Sequence, residues 1–140
     1  GRFKVSKKNT KSNKGKLMSW KNFELDEFAC SHCGENNINY DLIDKLQALR
    51  SDLGFPFVIT SGYRCMEHPA EIKKPRLGTH AMGLAVDILC RGEQAYKIIA
   101  NAEKYGFTGI GVNQKGNSRF IHLDIASEED NKVRPTVWSY

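Results

Sequence analysis

The stretch His80-Ala81-Met82-Gly83-Leu84-Ala85-Val86-Asp87-Ile88-Leu89-Cys90 decides how this chain is read. From Gly83 to Cys90 it alternates with the two-residue period of a strand, placing Leu84, Val86, Ile88 and Cys90 on one face. Gly83, Ala85, Asp87 and Leu89 fall on the other, so Asp87 projects from a face that Gly83 and Ala85 clear of bulk. Thirty-five residues beyond Asp87, Phe120-Ile121-His122-Leu123-Asp124 repeats the pattern. There Ile121, Leu123 and Ile125 point inward, and Phe120, His122 and Asp124 point away from the core. His80, Asp87 and His122 thus offer two imidazoles and one carboxylate, the ligand set of a Zn2+ site that keeps a fourth position open to water. One such residue alone reads as a satisfied structural side chain. Three on the non-core side of two strands point to a metal site.

The remaining segments supply a frame for those strands. Asp41 to Leu53 carries Leu42, Ile43, Leu46 and Leu49 at helical spacing, with Asp41 as cap and Gly54 as stop. A helical turn is expected over Glu24–Phe28 and a short buried strand over Pro56–Thr60. Residues 62–79 form a long loop, whose length suits a functional segment better than a mere connection. A second helix spans Glu93–Tyr105. Gly109–Val112 and Arg119–Ile125 form a hairpin around Lys115-Gly116-Asn117, and Ala126–Tyr140 reads as irregular. This order predicts a single compact α+β domain, its central sheet mainly antiparallel and flanked by helices.

Composition narrows the function classes. The chain has 140 residues, 40% hydrophobic and 26% charged, enough for one domain with a real core. Its apolar runs are too short to span a bilayer, and no signal segment is visible. Residues 1–16 hold seven of the 21 basic residues and no acid, so of the +5 net charge the rest contributes −2. The expected organisation is a basic, disordered tail over 1–18 and one folded domain, carrying the candidate metal ligands, over 19–140. The tail suits either an anionic polymer such as cell wall or a plain solubilising linker. Nucleic acid ranks low as a partner, because no folded basic face is interleaved with aromatics.

Four cysteines complete the inventory. Cys30-Ser31-His32-Cys33 is a CxxC without a second copy, so a zinc ribbon is poorly supported. Cys90 continues the core face of its strand as a small hydrophobe. Cys65, just after a turn, is placed to meet Cys30 or Cys33. A disulfide, a small structural metal site and free thiols all stay open for this group.

With Ser61-Gly62-Tyr63-Arg64, His80-x-x-Gly83-x-Ala85-x-Asp87, Gly109-Ile110-Gly111-Val112 and Phe120-Ile121-His122-Leu123-Asp124 in this order, the chain resembles the zinc D-alanyl-D-alanine carboxypeptidase and murein endopeptidase family. That family shares its fold with the hedgehog signalling domain, and the likeness runs from about Phe28 to Ile125. It is strongest to the compact versions found in phage lysis or virion proteins and in some bacterial wall enzymes. The resemblance implies Zn2+ on His80, Asp87 and His122, and Arg64 as a catalytic, substrate-binding residue. The implied reaction is hydrolysis of peptidoglycan stem or cross-link peptides at bonds involving D-amino acids. The place of action would be the cell wall or periplasm, by a monomer or by part of a virion assembly.

Several branches of that family place an acid three residues before the last ligand, or a histidine two before it. Here those positions hold Arg119 and Phe120. Asp124, on the face of His122, becomes the candidate general base, or equally the carboxylate that orients a ligand. Tyr63 and His68 are candidate substrate contacts, and Trp138 a candidate stacking wall. The rival reading is a non-catalytic peptidoglycan-binding or structural module that retains the fold.

Overall fold

A computed structural model describes residues 13–16 and 19–140. Five strands form one sheet: β1 (Val58–Ser61), β2 (Ala85–Leu89), β3 (Gly109–Asn113), β4 (Phe120–Asp124) and β5 (Thr136–Ser139). Their spatial order is β1-β2-β4-β3-β5, antiparallel throughout except for the parallel pair β3/β5. Helices α1 (Tyr40–Leu53) and α2 (Gly92–Ala102) complete an α+β fold. No described helix is long and apolar enough to cross a membrane.

The core follows from the two periodicities. Leu42, Ile43, Leu46 and Leu49 of α1 are all fully buried, as are Ala102 and Ile98 of α2. They join Val86, Ile88, Ile121 and Leu123 of the two central strands in one cluster. Each such aliphatic side chain taken from water contributes roughly 1.5–3 kcal/mol. With that face committed to the core, the pleat delivers Asp87, His122 and Asp124 to the opposite one.

Several expectations shift in detail. The N-cap of α1 is Asn39, whose side chain accepts from the Asp41 amide, and Gly54 closes the helix in a left-handed conformation. Helix α2 ends at Ala102, and its last expected turn is the tighter 3-10 segment Glu103–Tyr105. The helical turn near residue 25 is likewise a 3-10 turn, Leu25–Phe28. β1 is not buried: it is an edge strand, and Val58 is 53% exposed. The segment after Ala126 is not irregular, since Thr136–Ser139 adds to β3 in parallel. The strand is hidden in the sequence because its run is only four residues long and Pro135 directly precedes it.

The basic segment expected over 1–18 lies largely outside the described residues. Its residues 13–16 belong to the domain. Asn13 is buried, donating to the Ile38 carbonyl at 2.8 Å and accepting from the Tyr40 amide at 2.7 Å. Lys16 pairs with Asp41.

Candidate metal centre

The register of β2 against β4 sets Asp87 directly opposite His122, and Gly111 of β3 is the next neighbour across. His80 arrives from the loop between β1 and β2. The Arg64 amide donates to the His80 carbonyl at 3.2 Å, and the Leu84 amide donates to Thr79, pinning the loop end. His80 Nε2, one Asp87 oxygen and His122 Nδ1 then lie within 4.8 Å of one another, all three side chains buried. Both imidazole nitrogens point at the same oxygen, Asp87 Oδ1, at 3.1 and 3.2 Å.

The outer nitrogens decide what the centre can hold. His80 Nδ1 is 2.8 Å from the Gly62 carbonyl oxygen, an obligate acceptor, so that nitrogen carries the proton. His122 Nε2 is 2.8 Å from Asp124 Oδ2, and the same logic protonates it. In that neutral tautomer each ring turns a lone pair toward Asp87 Oδ1. Three acceptors converging at such distances call for a cation between them, and a divalent metal ion fits this donor set. The two rings differ in proton affinity. Burial lowers the proton affinity of His80. Burial also pushes that of His122 down, but the bonds from Asp124 and Asp87 outweigh it and raise it overall. For Asp87, burial would favour the neutral acid, yet the two imidazoles hold it ionised well below the usual carboxylate range.

Asp124 takes one of its two expected roles. It has no exposed surface, and its oxygens receive His122, the Arg134 Nε and Nη2 groups at 2.9 and 2.7 Å, and the Ala126 amide. Despite burial, these bonds bring its pKa down to about 2. A carboxylate so enclosed orients His122. It is not placed to act as general base, and that expectation is corrected.

The glycines of β3 make room for this arrangement. A Cβ on Gly109 would lie 2.6 Å from Arg134 Nε and closer still to both Asp124 oxygens. One on Gly111 would lie 2.7 Å from Trp138 Nε1 and 3.0 Å from the His122 Cβ. Trp138 of β5 thereby reaches over His122, ring centroids 5.0 Å apart, with the Arg134 guanidinium 5.1 Å from the indole centre.

Above the three ligands opens a cleft of about 550 Å³. Arg64 lines it, held by Ser61 Oγ at 3.0 Å, Glu71 at 3.2 Å and Asp87 Oδ2 at 3.4 Å. Lys74, Arg76, Lys132 and Arg134 also line it, and Asp87 is the one acid among the lining residues. Tyr63 and His68 do not line it. Tyr63 is buried in the core. His68 faces Ser31 and His32 on another side, because the turn after Cys65 carries it away. These two are corrected as substrate contacts. The sequence reading missed Glu71, which holds both Arg64 and Lys74, and Arg134. Gly78 was the available signal for Glu71, since a Cβ there would meet the Glu71 carboxylate at 2.7 Å.

A sheet that presents a histidine and an aspartate, joined by a loop histidine, to a cationic cleft defines a metal centre of the hydrolytic kind. A family model described as Peptidase M15 matches residues 21–124, most of the chain, and the protein belongs to that family of metal-dependent peptidases. No curated protein matches the chain.

Proposed function

We propose that this protein is a zinc peptidase that hydrolyses peptidoglycan stem or cross-link peptides at bonds involving D-amino acids. The observation that carries the reading is the convergence of His80 Nε2, Asp87 Oδ1 and His122 Nδ1 beneath an open cleft. His80, Asp87 and His122 would hold Zn2+, which would supply Lewis acidity toward a scissile carbonyl and a water molecule. The remaining work belongs to the chain. Gly62 and Asp124 lock the two rings in the tautomers that present lone pairs inward. Arg64, partly exposed at the cleft and anchored by Ser61 and Glu71, offers N–H donors to charge developing on the substrate oxygen. Lys74, Arg76 and Lys132 attract peptides rich in free carboxylates, as wall stem peptides are, and Trp138 gives a flat wall for packing.

The same reading places the protein at the cell wall or periplasm, as a phage lysis or virion protein or as a bacterial wall enzyme. One observation favours the rival, a non-catalytic binding module: among the described cleft residues, Asp87 is the one carboxylate, and it is a ligand. Incubation of the zinc-loaded protein with peptidoglycan and with synthetic stem peptides separates the two. Peptidase action releases new amine termini, identified with the cleaved bond by mass spectrometry. Binding with no new termini would sink the enzymatic reading.

A further inference from the structure

The second cluster of ligating side chains lies outside the cleft. Cys30, Cys33 and Cys65 come from segments separated by more than thirty residues, yet their sulfurs all lie within 4.8 Å of one another. None of the three is in a disulfide. We propose that these three cysteines form a structural, thiolate-ligated site for zinc or a similar thiophilic divalent ion, distinct from the His80–Asp87–His122 centre.

The backbone is shaped for such a site. Cys30 to Glu35 is a tight reversal in which the Cys30 amide donates to the Glu35 carbonyl at 2.7 Å and the Gly34 amide to the Cys30 carbonyl at 2.8 Å. Gly34 adopts the left-handed conformation, φ 82°, that closes the loop. Two amides donate to sulfur: Cys65 N–H to Cys30 Sγ at 3.3 Å, and Glu35 N–H to Cys33 Sγ at 3.4 Å. Amide donors of this kind stabilise anionic sulfur and tune metal ligands. Packing alone gives three thiols no reason to point at a common centre. Cys30 and Cys65 are buried and Cys33 is exposed, so the cluster has a wall of protein and a side open to an entering ion. Three thiolates leave one position of a tetrahedron for water or another ligand.

The consequence reaches the cleft through sequence neighbours. Cys65 follows Arg64, and Gly62 just before them holds His80. The Tyr63 amide donates to the Phe28 carbonyl two residues from Cys30, and Gly62 has no room for a Cβ against Phe28. An ion on the three sulfurs would rivet this contact and fix the segment from which Arg64 projects.

The full chain, purified under reducing conditions and loaded with zinc, should carry two equivalents of metal by elemental analysis. The doubly substituted H80A/H122A protein should keep one, and Cys65→Ser should also keep one. Cobalt replacement gives a readout that needs no cysteine variant. Thiolate-to-cobalt charge-transfer absorption should be present in the wild type and undiminished in H80A/H122A. A wild type with one equivalent, lost entirely in H80A/H122A, would overturn the proposal, as would cobalt spectra without thiolate bands. Persistence of a Cys30, Cys33 or Cys65 disulfide in the reduced, metal-loaded protein, seen by intact mass, would overturn it equally.

Discussion

Asp87 and His122 stand directly opposite each other on adjacent antiparallel strands, and the His122 Nδ1 lies 3.2 Å from the Asp87 Oδ1. Two of the three ligands are thus fixed by backbone pairing, with side chains that have little freedom left. Replacing His80, Asp87 or His122 by Ala should abolish metal retention at this centre and lower peptidase activity by about 10³-fold or more, since such an ion supplies several kcal/mol of transition-state stabilisation. The hydrophobic core lies on the other face, so circular dichroism should report a folded domain. Full activity in any of the three variants would refute the assignment.

Asp124 does not line the cleft, yet it grips His122, which does. Asp124→Asn keeps the shape and loses the charge that selects the His122 tautomer. Metal affinity should fall about 10–100-fold, the usual cost of removing such a carboxylate. Competition with a chromogenic chelator measures it; unchanged affinity would show that His122 needs no orienting partner.

The same carboxyl predicts an acid limb of stability. Its folded pKa of about 2 lies below the ordinary 3.8, because the bonds from His122 and Arg134 more than offset burial. A depressed carboxyl stabilises the fold above its unfolded pKa, and the stabilisation is lost as pH falls through the folded value. Denaturant unfolding of the metal-free protein should therefore lose roughly 2 kcal/mol from this group between about pH 4 and pH 2. Asp124→Asn should show a shallower decline over that window, and an identical slope would discount the pair.

Gly111 leaves no room for a Cβ beneath Trp138. Gly111→Ala forces a methyl against an indole and the His122 Cβ, neither of which is a flexible chain end. A loss of about 1–3 kcal/mol is expected, in line with overpacked interiors. Peptidase activity should drop with it because Trp138 is pushed off His122. Thermal melts and a crystal structure of the variant would check both parts.

Arg64 is held by a buried acid, Glu71, as well as by Asp87. Arg64→Lys keeps a positive charge but cannot reproduce the fork of contacts. Turnover should fall by about 10²-fold or more with metal content unchanged, the scale set by losing one preorganised donor to a developing oxyanion. A purely structural arginine would instead show its loss in the melting temperature.

Much of this site was legible in the chain itself, and the reason is geometric. A strand period of two, with one face apolar, leaves a polar residue such as Asp87 or His122 only one place to point. The two helices announced themselves through Leu42, Ile43, Leu46 and Leu49 and through Ala95 and Ile98. Contacts across long separations were not legible. Glu71 sits in a loop with no period, and its bond to Arg64 depends on how residues 62–84 coil. Arg134 reaches Asp124 because β5 joins the sheet edge in parallel, a pairing that no local pattern encodes. Tyr63 misled for a related cause: beside Arg64 in the chain, it points the opposite way, into the core.

Strand β5 is stitched to the sheet along one side only, and it begins beyond residue 124, where the match to the family ends. The roof over the ligands, Trp138 with Arg134, is therefore carried on the outer border of the sheet. Substitutions along that border would reshape the cleft and leave the pair of strands beneath it untouched, so preference among peptides could shift while the metal centre stays put.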